Sequence, residues 1–326
     1  MKIPSKVFIT GANGFIGRAL MDRFRKAGSA VVGVDLSANH ELGVYAGNVA
    51  VAGEWQQLAK GCELVIHTAA VVSNSAPAEL YRQVSLGSVR LALDAAIQGG
   101  ASRFLHLSSI AAYGLDFTTE RKETDAISLL SGYAYCDAKA ASEHAALAAH
   151  AAGEIDCTII RPGDVYGPGS RPWVLIPLDM IKKRQFVLPA QGRGIFSPVY
   201  IDNLLDGMML AATNPAAAGH IFNMTDGLSL SCHEFFSYHW RWAMNTGSIP
   251  RMSTRTAQML TSAGEFVLNG LLKQNTEISS GSLAMLTRQA GYSIDKAQTI
   301  LQYQPAISLK DGMMKTEHWL VQQGLI

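Results

Sequence analysis

Residues 133 to 139 read YAYCDAK, two phenols and one amine within two helical turns. Tyr135 and Lys139 are four positions apart, so on a helix they share a face about one turn from each other. Tyr133 has Asp137 at that spacing, so only one of the two tyrosines has a cationic neighbour. A free phenol, with a pKa near ~10, is a poor base at neutral pH. An ammonium group one turn away favours the phenolate and makes the pair a candidate for moving a proton. Such a pair is useful only if other elements hold it against a reacting group.

Those elements are visible in the first half of the chain, where short β-branched runs alternate with amphipathic stretches. KVFIT (6–10), AVVGVD (30–35), ELVIHT (63–68), RFLHLS (103–108) and CTIIR (157–161) read as strands. GFIGRALMDRFRKAG (14–28), YRQVSLGSVRLALDAAIQGG and YCDAKAASEHAALAAHAAG read as helices. Strands that are apolar almost throughout, separated by helices, predict a parallel sheet covered on both faces. The fold class is therefore α/β, a Rossmann-type doubly wound sheet followed by a smaller, mostly helical C-terminal lobe. After residue 162 Pro and Gly cluster in RPGDVYGPGSRPW, and the pattern loosens. The expected division is a doubly wound first domain over 1–162 with late strands from about 191–226. A substrate lobe would comprise 163–190 and 227–326.

Between the first strand and the first helix, VFITGANGFIG places Gly11, Gly14 and Gly17 in a GxxGxxG spacing. Glycine permits a tight turn and close backbone approach to a pyrophosphate, and the helix N-terminus adds free N–H groups and a positive dipole end. Phe15 and Ile16 lie in the same turn. Asp35 ends the second strand eighteen positions after Gly17. That is close to the ~20 expected for the acid that binds adenosine ribose hydroxyls. A carboxylate there accepts from both hydroxyls and repels a 2′-phosphate, and Leu36 and Ser37 offer such a phosphate no cation. The cofactor expected is NAD rather than NADP.

The bulk composition excludes several other classes. Of the 326 residues 48% are apolar and 16% charged, with a formal net charge of +1. This gives no electrostatic reason to expect nucleic acid as a partner. Cys62, Cys136, Cys157 and Cys232 are scattered without a CxxC pair and read as buried thiols in a reducing compartment. The nine histidines show no ligand spacing, so no metal is expected. MKIPSKVFIT lacks the apolar core of a signal peptide, and no stretch approaches the ~20 apolar residues of a membrane span. The expected location is cytoplasmic.

With these pieces assembled, the chain resembles the extended short-chain dehydrogenase/reductase family, also called the NAD-dependent epimerase/dehydratase superfamily. The resemblance rests on TGANGFIG, HTAA (67–70), LSSIAAYG (107–114), Tyr135-x-x-x-Lys139 and RPGDVYGPG (161–169). It implies that Tyr135 is the general acid/base on a substrate hydroxyl or carbonyl oxygen. Lys139 would support the phenolate and hydrogen-bond the nicotinamide ribose, and Ser109, rather than its neighbour Ser108, would orient the same substrate oxygen. Tyr133 is left for packing or the substrate rim. By motif position Asn48 and Val49 would lie by the adenine, and Thr68, Ala69 and Ala70 along the pyrophosphate and ribose. Pro162, Gly163 and Val165 would flank the nicotinamide. Ser85 departs from the pattern, since relatives usually carry Asn there.

Within the family, three absences narrow the branch. Ile110-Ala111 stands where dehydratases carry an Asp-Glu pair, Asp164 stands where sugar-nucleotide epimerases have Asn, and Phe196 stands at their Arg position. Asp164 would face a diphosphate unfavourably. What remains is similar to the 3β-hydroxysteroid dehydrogenase branch. Phe235, Phe236, Trp240 and Trp242 would suit a bulky apolar substrate. The leading expectation is an NAD-dependent oxidoreductase that interconverts a secondary alcohol and a ketone on a hydrophobic, steroid-like molecule. The alternatives are a nucleotide-sugar 4-epimerase and a non-catalytic NAD-binding regulator. The helix TRTAQMLTSAGEFVLNGLL (254–272) would cover the pocket or pack on the lobe, a weak membrane-surface contact being the other reading. The Ala-rich helices 84–98 and 135–149 resemble the pair that forms family homodimers.

Overall fold

The computed structural model describes residues 2–71, 76–127, 130–265 and 279–326. Its strands are β1 (Lys6–Thr10), β2 (Ala30–Asp35), β3 (Val44–Ala46), β4 (Leu64–His67), β5 (Arg103–Leu107) and β6 (Asp156–Pro162). They are followed by β7 (Asp164–Tyr166), β8 (Ile195–Phe196), β9 (Pro198–Tyr200), β10 (Ile221–Met224) and β11 (Leu230–Ser231). The helices are α1 (Phe15–Lys26), α2 (Ala78–Leu80), α3 (Ser88–Gly99), α4 (Ala134–Ala151), α5 (Ile176–Lys182) and α6 (Ile201–Thr213). The C-terminal part adds α7 (Cys232–Trp242), α8 (Thr254–Glu265), α9 (Ser280–Met285), α10 (Asp295–Leu301) and α11 (Leu309–Gln322).

Seven strands form one parallel sheet in the order β10-β6-β5-β4-β1-β2-β3. The strand order reverses between β1 and β4. In such a sheet the crevice at the carboxyl ends of the strands, at that reversal, is where ligands bind. All four residues of β4 and four of five in β1 are buried, as expected for strands covered on both faces. α1 and α6 pack on one face through Leu20, Met21, Phe24 and Leu204, and α3 and α4 pack on the other through Val89, Leu93 and Ala146. The expected α/β doubly wound architecture with a helical C-terminal region is what the chain forms.

Two details differ from the sequence reading. Of the strands expected in 191–226, only β10 joins the large sheet. β8 pairs with β11 and β9 with β7 in two separate two-stranded sheets. Pro198 opens β9 without an N–H to donate, which suits a short edge pair better than a central strand. The aromatic set read as a substrate pocket is core instead. Phe235, Phe236 and Trp242 are buried, and Phe235 stacks on Phe196 with ring centroids 4.0 Å apart. Large rings bury more apolar area than any other side chains, and this lobe uses them for its own cohesion. Within helix 254–272, Met259 and Leu260 are exposed, while Phe266, Val267, Gly270 and Leu271 lie outside the described residues. Among the described residues no helix is long and apolar enough to cross a membrane.

A buried ion pair ties α4 to the sheet. Arg161 on β6 donates from Nε to Glu143 Oε1 at 2.8 Å and from Nη2 to Oε2 at 2.6 Å. Ser108, just past β5, donates its hydroxyl to the same carboxylate. The guanidinium also stacks over the Tyr113 ring, 4.3 Å from its centroid. Neither Glu143 nor Arg161 is more than 1% exposed, so removing one partner strands a charge in a low-dielectric interior. Arg161→Met should therefore cost on the order of 3–5 kcal/mol in urea denaturation. A loss below about 1 kcal/mol would show that water or a neighbour compensates Glu143 and that the pair does not organise this region.

Candidate active site

One cavity of about 850 Å³ runs along the carboxyl ends of the strands. Its wall carries Gly11, Gly14, Phe15, Ile16, Gly17, Asp35, Leu36, Asn48, Val49, Thr68, Ala69 and Ala70 toward one end. Ser109, Tyr135, Lys139, Pro162, Gly163 and Val165 line the same cavity. All the residues singled out for cofactor or chemistry thus face one space, although they come from seven separate segments. Sequence reading missed others on that wall, among them Asn13, Arg171, Trp173, Met285 and Arg288. Arg288 follows α9, and nothing local in its sequence points at the cavity.

The glycine loop is built as its spacing predicts. Gly11 has φ +68°, and a Cβ there would lie 2.8 Å from the Ala69 nitrogen. At Gly17 a Cβ would come within 2.1 Å of the Gly11 carbonyl oxygen, so the turn into α1 closes only without side chains. No side chain caps α1, and its first turn carries no acid, which leaves N–H groups and a positive dipole end for an anion. Asp35 accepts from the Asn13 N–H at 2.9 Å and the Leu36 N–H at 2.7 Å, which aims its carboxylate at the cavity end. Asn13 Oδ1 is buried with no partner among the described residues, an acceptor suited to a ribose hydroxyl. These residues fit a dinucleotide with free ribose hydroxyls.

At the other end α4 begins at Ala134 with Tyr133 in extended conformation just before it. Asp137 fixes that start by accepting from the Ser131 N–H at 2.7 Å and the Ser131 hydroxyl at 2.6 Å. The partner of Tyr133 in the spacing argument is thus a structural acid. Tyr133 itself is half-buried against Ala111, Leu115 and Cys136. One turn later Lys139 is buried and donates from Nζ to the Leu107 carbonyl at 2.9 Å. Burial pulls its ammonium down to about 8, while Glu143, a further turn along α4, acts in the opposite direction. Beneath it His67 and His106 stack 5.7 Å apart and bond through ring nitrogens to Thr10, Ser88 and Ser142. Burial holds His67 down at about 3 and His106 well below its usual value, so both are neutral at pH 7.

Tyr135 meets the Tyr81 ring edge-on, with centroids 6.2 Å apart. Burial pushes its phenol up to about 12, the neighbouring Ser109 hydroxyl works the other way, and Cys136, Tyr81 and Asp164 add to the rise. The packing of the phenol therefore opposes the ionisation that Lys139 is expected to favour. In the protein by itself desolvation dominates, and the lysine is tethered to a backbone carbonyl. The Ser109 oxygen also accepts from the Ala111 N–H at 3.1 Å, which holds the hydroxyl at the turn after β5. Ser108 turns the opposite way, to Glu143. Ser85, where Asn was expected, lies in a π-helical turn (Tyr81–Gly87) and accepts from the Val71 N–H at 3.2 Å.

Asp164 also needs correcting. It is not a bare charge facing the pocket, because Arg288 donates to its carboxylate and the Ser197 N–H does so at 3.1 Å. Burial raises its pKa and Arg288 lowers it, leaving a compact pair within the wall. Phe196 is fully buried and offers the cavity nothing. Among the described residues no cluster of His, Cys, Asp or Glu could hold a metal ion, and all four cysteines are buried free thiols.

Relatives of known name share this frame. The chain is 26% identical over 322 residues to a 4-hydroxy-2-methyl-3-oxo-4-farnesyl-3,4-dihydroquinoline-1-oxide ketoreductase of Stigmatella aurantiaca, covering 94% of each. It is 24% identical over 342 residues to the decarboxylating sterol-4-alpha-carboxylate 3-dehydrogenase of Schizosaccharomyces pombe, covering 98% of each. The fold superposes on a UDP-glucuronic acid 4-epimerase of Bacillus cereus solved with NAD at a TM-score of 0.77 and 21% identity, covering 98% of this chain and 99% of that one.

The Asp35 carboxylate gives the clearest test of the adenosine end. Replacing it in the pair Asp35→Ser and Leu36→Arg should shift the NADH-to-NADPH affinity ratio toward NADPH by on the order of 10²-fold, read by fluorescence titration. An unchanged ratio would place the ribose elsewhere. Residues 7–225 match the NAD dependent epimerase/dehydratase family, and the chain belongs to that family.

Proposed function

We propose that this NAD-dependent family member is an oxidoreductase that interconverts a secondary alcohol and a ketone on a hydrophobic, steroid-like molecule. The observation that carries the reading is the grouping of Ser109, Tyr135 and Lys139 on one cavity wall beside apolar Ile110, Leu115, Trp173 and Met285. When bound, NAD supplies the carbon that gives or accepts the hydride. Tyr135 exchanges a proton with the substrate oxygen, donating it when a ketone is reduced and taking it when an alcohol is oxidised. Ser109, on the same cavity wall as the phenol, orients that oxygen. Lys139 contributes its charge and its remaining N–H donors to the same end of the cavity.

The sterol dehydrogenase and the farnesylated-quinoline ketoreductase are both named for apolar substrates and align over nearly the whole chain, which supports this branch. The structural likeness to an epimerase, at 21% identity, concerns the fold, but a UDP-glucose 4-epimerase of Vibrio cholerae is also 28% identical over 252 residues, so relatives alone do not choose between the two readings. A 4-epimerase would have to bind a diphosphate; on this wall Arg288 is already committed to Asp164, which leaves the exposed Arg171 as the cation such a group would meet. Ile110-Ala111 offers no acid for expelling water, which weighs against dehydration.

Tyr135→Phe should lower kcat by roughly 10²–10⁴ while NADH still binds, the usual range for losing a general acid/base. Turnover within threefold of the unmodified protein would end the assignment. The pH profile follows from burial. Tyr135, at about 12, stays protonated through the working range and is ready to donate in the reductive direction. Lys139 is cationic below about 8 and neutral above it, so kcat/KM for ketone reduction should fall as pH rises through that value. Lys139→Met, lower in activity throughout, should lack this alkaline limb. Two copies would pair through α3 and α4, and light scattering at micromolar concentration should give the dimer mass, whereas a monomer would contradict the pairing.

A further inference from the structure

Beside the first cavity lies a second of about 840 Å³, and Leu115 and Arg288 belong to the walls of both. The two spaces therefore abut at the end where Tyr135 and Ser109 stand. Small-molecule sites typically span ~300–1,000 Å³. A dinucleotide reaching from Asp35 to Lys139 takes up much of the first cavity, so a bulky substrate held at Tyr135 has to extend past Leu115. Its onward path runs along Met285 and Ala284 into the second space.

The chemistry of the second wall differs from that of the first. It carries Tyr133, Gln191, Thr254, Gln258, Thr287 and Gln289, all hydrogen-bonding and uncharged. The side chains of Gln191, Gln258 and Gln289 are exposed and make no hydrogen bond to other described residues, so their donors and acceptors face the space and the surrounding water. Thr287 spends its own hydrogen on the Leu283 carbonyl at 3.0 Å, which leaves its oxygen to accept. The charges present cancel. Arg288 pairs with Asp164 and gives Nε to the Met285 carbonyl at 3.0 Å, while exposed Arg193 and Asp116 oppose each other in sign. The one buried cation here is committed, and the exposed Arg193 and Asp116 supply one charge of each sign, so the wall as a whole favours neither an anion nor an ammonium.

Resting on the oxidoreductase reading above, we propose that the second cavity receives the far end of an elongated substrate, and that this end is an uncharged hydrogen-bonding group such as a hydroxyl, ketone or amide. The substrate is then apolar in the middle, reactive at one end and neutral-polar at the other. The reactive oxygen meets Tyr135, and the opposite oxygen or nitrogen meets the glutamine and threonine side chains.

The test is calorimetric binding to the full chain saturated with NADH. Three probes are compared: a steroid ketone with a hydroxyl at the far end of its ring system, the same ketone without that hydroxyl, and the sulfate ester of the first. The hydroxylated ketone should bind about tenfold more tightly than the bare one, and the sulfate no more tightly than the hydroxylated form. Gln258→Leu combined with Thr287→Val should cut that preference to about threefold or less. The proposal is overturned by equal affinity for the first two probes, by tightest binding of the sulfate, by no binding of any probe, or by a preference that survives in a folded double variant. Comparison of the probes on the unmodified protein decides the matter even if the double variant does not fold. Turnover of the bare ketone with NADH is followed separately. Its absence counts against the oxidoreductase reading, while the binding ratio still judges the cavity.

Discussion

A carboxylate with no access to water has to be surrounded by donors, and Glu143 is surrounded by the residues that shape the reacting end of this protein. Arg161 reaches it from β6 with two hydrogen bonds, and Ser108 reaches it from the end of β5. Lys139 lies one turn before it on α4 and feels its charge. Satisfying one buried anion thus draws two strand ends and a helix into a single register. Ser109 and Tyr135 inherit their places from that register, because one adjoins Ser108 and the other precedes Lys139 by a turn.

The remaining architecture follows from the parallel sheet. Strands covered on both faces can expose ligand-binding groups only at their ends, and the reversal of order between β1 and β4 opens a crevice there. The first turn of that crevice omits side chains at Gly11 and Gly17 because backbone atoms already fill the space a Cβ would need. At the opposite end the C-terminal lobe closes the wall with Met285 and Arg288. Arg288 clamps Asp164 across the junction, so the two halves of the chain meet through a neutralised pair rather than an open charge. The same pair stands between the reacting cavity and its polar neighbour.

What could be read in advance divides along sequence distance. The sheet, the glycine turn, Asp35 and the Tyr135–Lys139 pair are local patterns, a strand period, a turn chemistry or a helical spacing, and they carry their geometry with them. Glu143 with Arg161, and Asp164 with Arg288, are 18 and 124 positions apart and join only in the folded chain. Composition could not separate an aromatic pocket from an aromatic core, and Phe235 and Phe236 proved to be core because Phe196 stacks on the first and meets the second edge-on. The protonation of Tyr135 depends on packing for a related reason. Spacing reveals that a lysine is near, but only the packed structure shows that desolvation of the phenol outweighs it.

The central claim is that Tyr135, sharing a cavity wall with Ser109 and Lys139, stands where the reacting carbon of the cofactor must come. The most direct measurement is a crystal structure of this protein grown with NAD. The account predicts adenosine at Asp35 and the nicotinamide between Pro162–Val165 and Tyr135, its ribose within hydrogen-bond reach of Lys139. A nicotinamide lying well away from the Tyr135 hydroxyl, or a reversed dinucleotide, would contradict it.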